Sequence, residues 1–400
     1  MRRVLYVHHG KGIGGAPLSL LYLIRGLDRS RYEPTVLCIH DGEAADLYRR
    51  EGIETIVDSS LHDFSHTNVL WYPLWQLPKI LLRLWQYPFT RHRFDKFLRH
   101  RQVDLIHLNT STLTAFALAA RAQNIPVVWH IREPLQRGHT GLRRAVIRRI
   151  IDRTATRILP ICRYDAEQLL PSPVIHVVYN FIDFAQFDVR MDGAPMRAEL
   201  GIEGDALVVC MLGGVNPIKG TDVFVQAAAA LLEAHPDAVF LIAGPVPEKN
   251  LRNRINGLCV YDRKLRARIP QTHSSRIRFL GVRKDIPRLL AASDVLCFPS
   301  TVPHFARPVI EASAMGLPVV ASDLGGPQEL VLQEKTGLLV PPGNAAALAE
   351  AIGRLLGDGT LRASMGSAGI AHAEEHFDAK KNTARVLAQY DEIFHEEKVS

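Results

Sequence analysis

The sequence is poor in cysteine, with five in 400 residues: Cys38, Cys162, Cys210, Cys259 and Cys297. The number is odd, and no Cys-x-x-Cys or His-paired metal spacing occurs. Cys38, Cys210 and Cys297 stand in apolar, strand-like runs, where a thiol acts as a small hydrophobe. A disulfide framework is therefore excluded, and a reducing compartment is expected. Long apolar runs are also missing. No stretch of about 18 uninterrupted apolar residues exists, so no transmembrane helix is expected. The opening MRRVLYVHHG is too short for a secretory signal and meets glycines at once. There is no Asp-x-Asp to bridge a metal to a diphosphate, and no metal is expected. No short repeat period is visible. With 47% hydrophobic and 22% charged residues, long disordered tracts are not expected either.

What is present fits two domains, since one core seldom organises 400 residues. Residues 1–200 carry 27 Lys and Arg against 19 Asp and Glu, whereas residues 201–400 carry 21 against 22. The first half thus faces an anionic partner more readily: nucleic acid, anionic lipid or a phosphorylated substrate. Strand and helix signals alternate along both halves. RRVLYVHH, PTVLCIHD, VDLIHLN, PVVWHIRE, TRILPICR and VIHVVYN read as strands before residue 181. ALVVCMLGG, AVFLIAGP, RIRFLGV, DVLCFPS, PVVASD and GLLVPP read as strands after 204. Strands separated by helices imply parallel sheets covered on both faces. The turn-rich FIDFAQFDVRMDGAPMRAELGIEG between them marks the boundary and a candidate hinge. The expected domains are 1–182 and 183–378.

Three glycine loops follow strands. Gly10, Gly12 and Gly15 satisfy Gly-x-Gly-x-x-Gly before a helix, the form of a dinucleotide fingerprint, with Asp41 as the nearest supporting acid. Any tight strand-to-helix turn needs glycine as well, so this loop alone leaves both readings open. LGGVNPIKGTD runs from a strand through Gly213 and Gly214 to Lys219, which can pair with a phosphate or be an ordinary solvated lysine. Gly325 and Gly326 follow PVVASDL. Ligands of open parallel sheets bind just outside the strands' carboxyl ends, where all three loops lie. Glu311 is a lone carboxylate inside PHFARPVIEASAMGLPVVASDLGG. It either sits in the first turn of a helix for the sake of the dipole or faces a ligand. Asn68–Arg101 combines Trp71, Trp75 and Trp85 with basic residues, and GLRRAVIRRII repeats the mix. This suits either an anionic membrane interface or buried tryptophans beneath solvated arginines.

Lys219-Gly220, FLG (279–281), SDVLCFPS, FARPVIEASAMGLPVVASDLGGPQEL and GLLVPPGNAAALAEAI resemble the C-terminal domain of family 4 glycosyltransferases. Gly12–Gly15, HIRE (130–133) and YNFID (179–183) resemble the N-terminal signatures. The resemblance implies an α/β, GT-B fold: two Rossmann-like parallel-sheet domains facing across a cleft, the C-terminal helix 379–400 crossing back to join the first. It implies a retaining, metal-independent transferase that moves sugar from a UDP- or GDP-linked donor to a glycan or lipid-linked acceptor. That activity belongs to cell-surface polysaccharide or glycoconjugate synthesis. The protein would be cytoplasmic, peripheral on the inner membrane face, and would need no cofactor beyond the donor and no nucleic acid. By resemblance, His130, Lys219 and Glu311 are catalytic. Gly213, Gly214, Lys219, Gly281, Arg283, Glu311, Gly325 and Gly326 meet the donor nucleotide. His304, Phe305, Ala306 and Arg307 meet the donor sugar, and Gly14, Gly15 and Arg132 face the acceptor. Two positions depart from the family. Pro303 stands where the first acid of its E-x7-E motif belongs, and Gly214 replaces an arginine. A catalytically silent nucleotide-sugar-binding partner is the alternative these departures suggest. An NAD-dependent oxidoreductase is the lesser one, left by the first glycine loop.

Overall fold

The computed structural model describes residues 1–64, 77–137 and 140–399. The chain divides into two compact units, Met1–Phe181 with Ala379–Ser400, and Ile182–Asp378.

The first unit is a six-stranded parallel sheet of β1 (Arg2–His8), β2 (Tyr32–Cys38), β3 (Glu54–Val57), β4 (Leu105–Leu108), β5 (Val127–Ile131) and β6 (Arg157–Pro160), ordered β3-β2-β1-β4-β5-β6. Successive residues of β1 feed two cores. Val4 and Tyr6 pack with the helices Gly15–Arg25, Glu43–Arg50 and Ala379–Val399. Leu5 and Val7 pack with Leu77–Arg99, Thr114–Ala122 and Leu142–Thr154. A strand buried on both faces has no polar positions to spare, which is why these strands read as continuous apolar runs.

One expected strand differs. VIHVVYN is not part of the sheet: only Ile175 bridges Ile158. Pro160 explains this. Ile158 exchanges both backbone bonds with the segment and the Pro160 carbonyl accepts from Val178 at 2.9 Å, but proline has no N–H to continue the ladder. The sixth strand is instead β3, a four-residue edge whose ETIV is only half-buried.

The second unit holds the six strands expected of it: β7 (Val208–Leu212), β8 (Val239–Ala243), β9 (Ile277–Gly281), β10 (Val295–Phe298), β11 (Val319–Ser322) and β12 (Gly337–Val340). They are parallel, in the order β12-β11-β10-β7-β8-β9. In each sheet the strand order reverses once, between β1 and β4 and between β7 and β10. Chain connections diverge there and leave a crevice at the carboxyl ends. The polar helical stretch at the end of the sequence is two helices, Gly359–His376 and Ala379–Val399, with Phe377 and Asp378 between them. The Ile182 N–H donates to the Phe377 carbonyl at 2.7 Å, so the two places where the chain changes unit lie side by side.

Candidate active site

In the second unit the reversal point is occupied by Lys219. It ends the short 3-10 turn Pro217–Lys219 after β7, where Asn216 caps the turn by accepting from the Ile218 N–H. The turn is tied to the loop after β10. The Thr301 N–H and the Ser300 hydroxyl both donate to the Ile218 carbonyl at 3.0 Å, and the Thr301 hydroxyl donates to the Pro217 carbonyl at 3.0 Å. Gly220 makes this approach possible. Its φ is +72°, and a Cβ there would lie 1.8 Å from the Pro299 carbonyl oxygen. A Cβ at Gly213 would press on the Lys219 stem at 3.0 Å.

The result is an ammonium without a counter-ion. Among the described residues no carboxylate pairs with Lys219, whose Nζ meets His304 Nε2 and stands 5.4 Å from the centre of the Phe298 ring. Burial lowers its pKa to about 8. Burial, with the Lys219 charge second, lowers that of His304 to about 4. Gly325 and Gly326 close over the same loop. A Cβ at Gly325 would meet Pro303 Cβ at 2.7 Å, and one at Gly326 would meet the His304 carbonyl oxygen at 2.8 Å. Pro303, which offers no polar group, is thus packing for Gly325.

Glu311 is buried, one turn inside the helix Arg307–Ala314 rather than in its first turn. The dipole account of this acid therefore fails. It is answered by Arg307, whose Nε donates to Oε1 at 2.7 Å. Burial raises its pKa, opposed by Arg307. Ala306 is fully buried, backbone and side chain alike, and offers no surface to a sugar. Arg283 needs a similar correction. Its guanidinium donates to Asp285 (2.8 and 2.6 Å) and to Glu199 (2.8 Å), and the neighbouring Gly281 has φ of +69°.

In the first unit the reversal point carries a buried polar chain. The Arg132 guanidinium donates to Asn109 Oδ1, to Asn180 Oδ1 at 2.8 Å and to His130 Nδ1 at 3.3 Å. Guanidinium only donates, so His130 Nδ1 accepts and its hydrogen is on Nε2. His107 Nε2, 3.1 Å from His130 Nδ1, must then donate, and His107 Nδ1 accepts from the Tyr390 hydroxyl at 2.6 Å. Asn109 Nδ2 likewise donates to His8 Nδ1 at 3.1 Å. Burial holds the pKa values of all three histidines well below the usual range, and Arg132 adds to this at each. The Nε2 atoms of His8 and His130 are buried without a hydrogen-bond partner. Arg132 is therefore an internal organiser and not a group that reaches an acceptor. Gly14 is exposed, with open space where a Cβ would stand, and Gly15 begins the helix behind it.

Two family models match the chain: "Glycosyltransferase Family 4" over residues 13–186 and "Glycosyl transferases group 1" over residues 206–358. Each unit thus resembles a glycosyltransferase family, and the fold is GT-B. It is 29% identical over 261 residues to the lipopolysaccharide core biosynthesis mannosyltransferase LpsB of Rhizobium meliloti, covering 64% of this chain and 70% of LpsB. It is 31% identical over 223 residues to the D-inositol 3-phosphate glycosyltransferase of Jonesia denitrificans, covering 54% of this chain and 51% of that enzyme. The chain thus spans about half the length of the latter. The crystal structure of Anabaena HepE in complex with UDP and glucose superposes with a TM-score of 0.77 at 24% identity, covering 98% of this chain and 100% of HepE.

Several groups of these sites carried no signal in isolation. His8, His107, Asn109 and Tyr390 meet only in three dimensions, although His8 could have been noticed as a histidine at a strand end before glycines. Glu133 grips the turn after β4, accepting from the Thr110 hydroxyl (2.6 Å) and the Ser111 N–H (2.9 Å). Of the basic aromatic region, Trp71 and Trp75 lie outside the described residues, and Trp85 is 66% exposed. Leu81, Leu82, Leu84 and Phe89 of the same helix are exposed too, as are Leu142 and Val146 on the helix Leu142–Thr154. Both helices flank Thr114–Ala122 and begin at the carboxyl edge of the sheet. Among the described residues no helix is long and apolar enough to cross a membrane.

Proposed function

We propose that the chain transfers a sugar, with retention and without a metal, from a UDP- or GDP-linked donor to a glycan or lipid-linked acceptor in cell-surface glycoconjugate synthesis. The observation that carries this reading is the desolvated Lys219 ammonium with no carboxylate beside it, at the sheet position where ligands bind. Such a group is satisfied by an anion, and a sugar nucleotide leaves as a diphosphate. Lys219, with the backbone of Gly325 and Gly326, would take the charge that grows on the leaving phosphate, whereas the Gly213 and Gly214 N–H groups are already donated to the Ala243 carbonyl. Glu311, steadied by Arg307, would accept from the ribose hydroxyls. Gly281 and the Arg283 backbone would meet the base. His304 and Phe305 would border the donor sugar. Gly14 and Gly15 would border the acceptor. The bond from the anomeric carbon to the phosphate oxygen breaks as the bond to the acceptor oxygen forms on the same face, and the departing phosphate takes the acceptor's proton.

The lipid-linked acceptor is supported by the name of LpsB and by the exposed apolar residues beside a surplus of arginine. Work at the cytoplasmic face of a membrane follows from that reading. The test is product formation from a panel of UDP- and GDP-sugars with lipid extracts as acceptors. Turnover that Lys219→Ala abolishes supports the reading. Donor binding without turnover across the panel supports the silent partner that Pro303 suggests. Binding of neither UDP nor GDP rejects both.

A further inference from the structure

The loop Ser300–His304 does more than border Lys219. His304 Nδ1 lies 2.9 Å from the Val302 carbonyl oxygen, which can only accept. The hydrogen of the ring is therefore on Nδ1, the tautomer less common in free histidine. Nε2 is left with a lone pair, and that lone pair faces the Lys219 ammonium. The Ser300 hydroxyl, 3.3 Å from Nδ1, and the Phe298 ring complete the surroundings. Among the described residues each is the other's titratable partner; burial lowers the pKa of Lys219, and burial, with the Lys219 charge second, lowers that of His304.

We propose that His304 is the positioning residue for Lys219: its uncharged imidazole, locked by the Val302 carbonyl, holds the ammonium through one hydrogen bond and leaves the whole positive charge for the ligand's phosphates. The choice of partner decides the outcome. A carboxylate here would hold the lysine equally well but would cancel its charge, and an incoming diphosphate would have to displace it. A purely apolar neighbour would leave the flexible four-carbon stem unaimed. A neutral acceptor does neither. The Pro303–Gly325 contact and the bonds from Ser300 and Thr301 to Ile218 fix the distance at which it acts. This inference rests on the proposed donor chemistry for its consequence, but not for its geometry.

The experiment has two arms. In the first, UDP and GDP, and the nucleosides uridine and guanosine, are titrated by calorimetry into wild type, His304→Leu, His304→Gln and His304→Glu. His304→Leu should lose about tenfold or more in diphosphate affinity, and His304→Gln, whose amide oxygen can accept from the ammonium, should recover most of it. His304→Glu should be weaker than wild type at pH 7 despite keeping an acceptor. Its affinity should also hold to higher pH than wild type, since the carboxylate keeps Lys219 protonated. Nucleoside affinity should stay constant throughout. Unchanged diphosphate affinity in His304→Leu overturns the proposal, as does an equal loss of nucleoside affinity, which would mean only a damaged fold. In the second arm, histidine-labelled protein is read by nitrogen NMR without nucleotide. His304 should appear neutral down to about pH 5, protonated on Nδ1, with an Nε2 signal that moves in Lys219→Met. An Nε2-protonated ring, or a signal indifferent to Lys219, overturns the geometry. If this arm succeeds while wild type binds neither diphosphate, the donor assignment fails and the pairing stands.

Discussion

At the scale of single residues, Lys219 sets function against stability. Its pKa in the folded chain is about 8, against the 10.5 usual for lysine. Between those two values the unfolded chain binds the extra proton and the folded chain does not, so stability rises with pH across that window. Below pH 8 the full cost of burying the charge is present, up to about 3 kcal/mol by the one-unit conversion. Lys219→Met should therefore raise Tm at pH 7 by several degrees while diphosphate binding falls. Thermal melts with and without UDP measure both, and a lower Tm in the variant would contradict the account. The histidines act with the same sign at lower pH. His304 is held near 4, and His8, His107 and His130 are held uncharged by burial and Arg132. The unfolded chain takes up protons below about pH 6.5 that the folded chain refuses. Urea midpoints should then drop as pH falls from 6.5 towards 4, and a flat profile there would count against the buried network. Tyr390→Phe deletes the donor to His107 Nδ1 and strands that atom in the core, which should cost about 1–3 kcal/mol.

At the scale of elements, the junction of the Pro217–Lys219 turn with the loop after β10 depends on Gly220. Gly220→Ala must move the Pro299 carbonyl or abandon φ of +72°. Either change costs roughly 1–3 kcal/mol or more and pulls Lys219 from its place, so UDP binding should fall at least tenfold even in folded protein. Calorimetry on the soluble variant checks this. The sequence showed Lys219 and Glu311 and the glycines around them, because strand ends followed by glycines are a local pattern. It also showed all six strands of the second unit, whose apolar runs are bounded by turns. It did not show the partners. That Arg307 answers Glu311, that His304 answers Lys219 and that Asp285 and Glu199 consume Arg283 are facts of side-chain direction, which spacing does not encode. VIHVVYN has the pattern of a strand, and what disqualifies it is Pro160 in the strand it would have joined. The short β3, with polar residues at an exposed edge, has too little hydrophobic signature to stand out.

At the scale of the whole molecule, charge and exposed apolar surface gather on the same unit. Arg149 and Arg153 are exposed on the helix that carries exposed Leu142 and Val146, and Arg91, Arg93 and Lys96 are exposed on the helix that carries Trp85 and Phe89. Arginine and aromatic side chains together favour a headgroup layer. The chain should float with vesicles containing phosphatidylglycerol and not with purely zwitterionic ones, more weakly as salt rises. Trp85→Ser with Phe89→Ser should reduce flotation several-fold without altering the circular dichroism spectrum. Flotation independent of lipid charge would argue against this surface.

The last helix has a further consequence. Val386, Tyr390, Ile393 and Phe394 fill the core that also holds Val4, Tyr6 and Tyr32. The ribosome makes those partners far apart along the chain. One face of the amino-terminal sheet thus emerges covered only by Gly15–Arg25 and Glu43–Arg50, and stays so while the second unit is synthesised. A stop near residue 378 would spare the second unit, which is already made, and leave the first without its last helix.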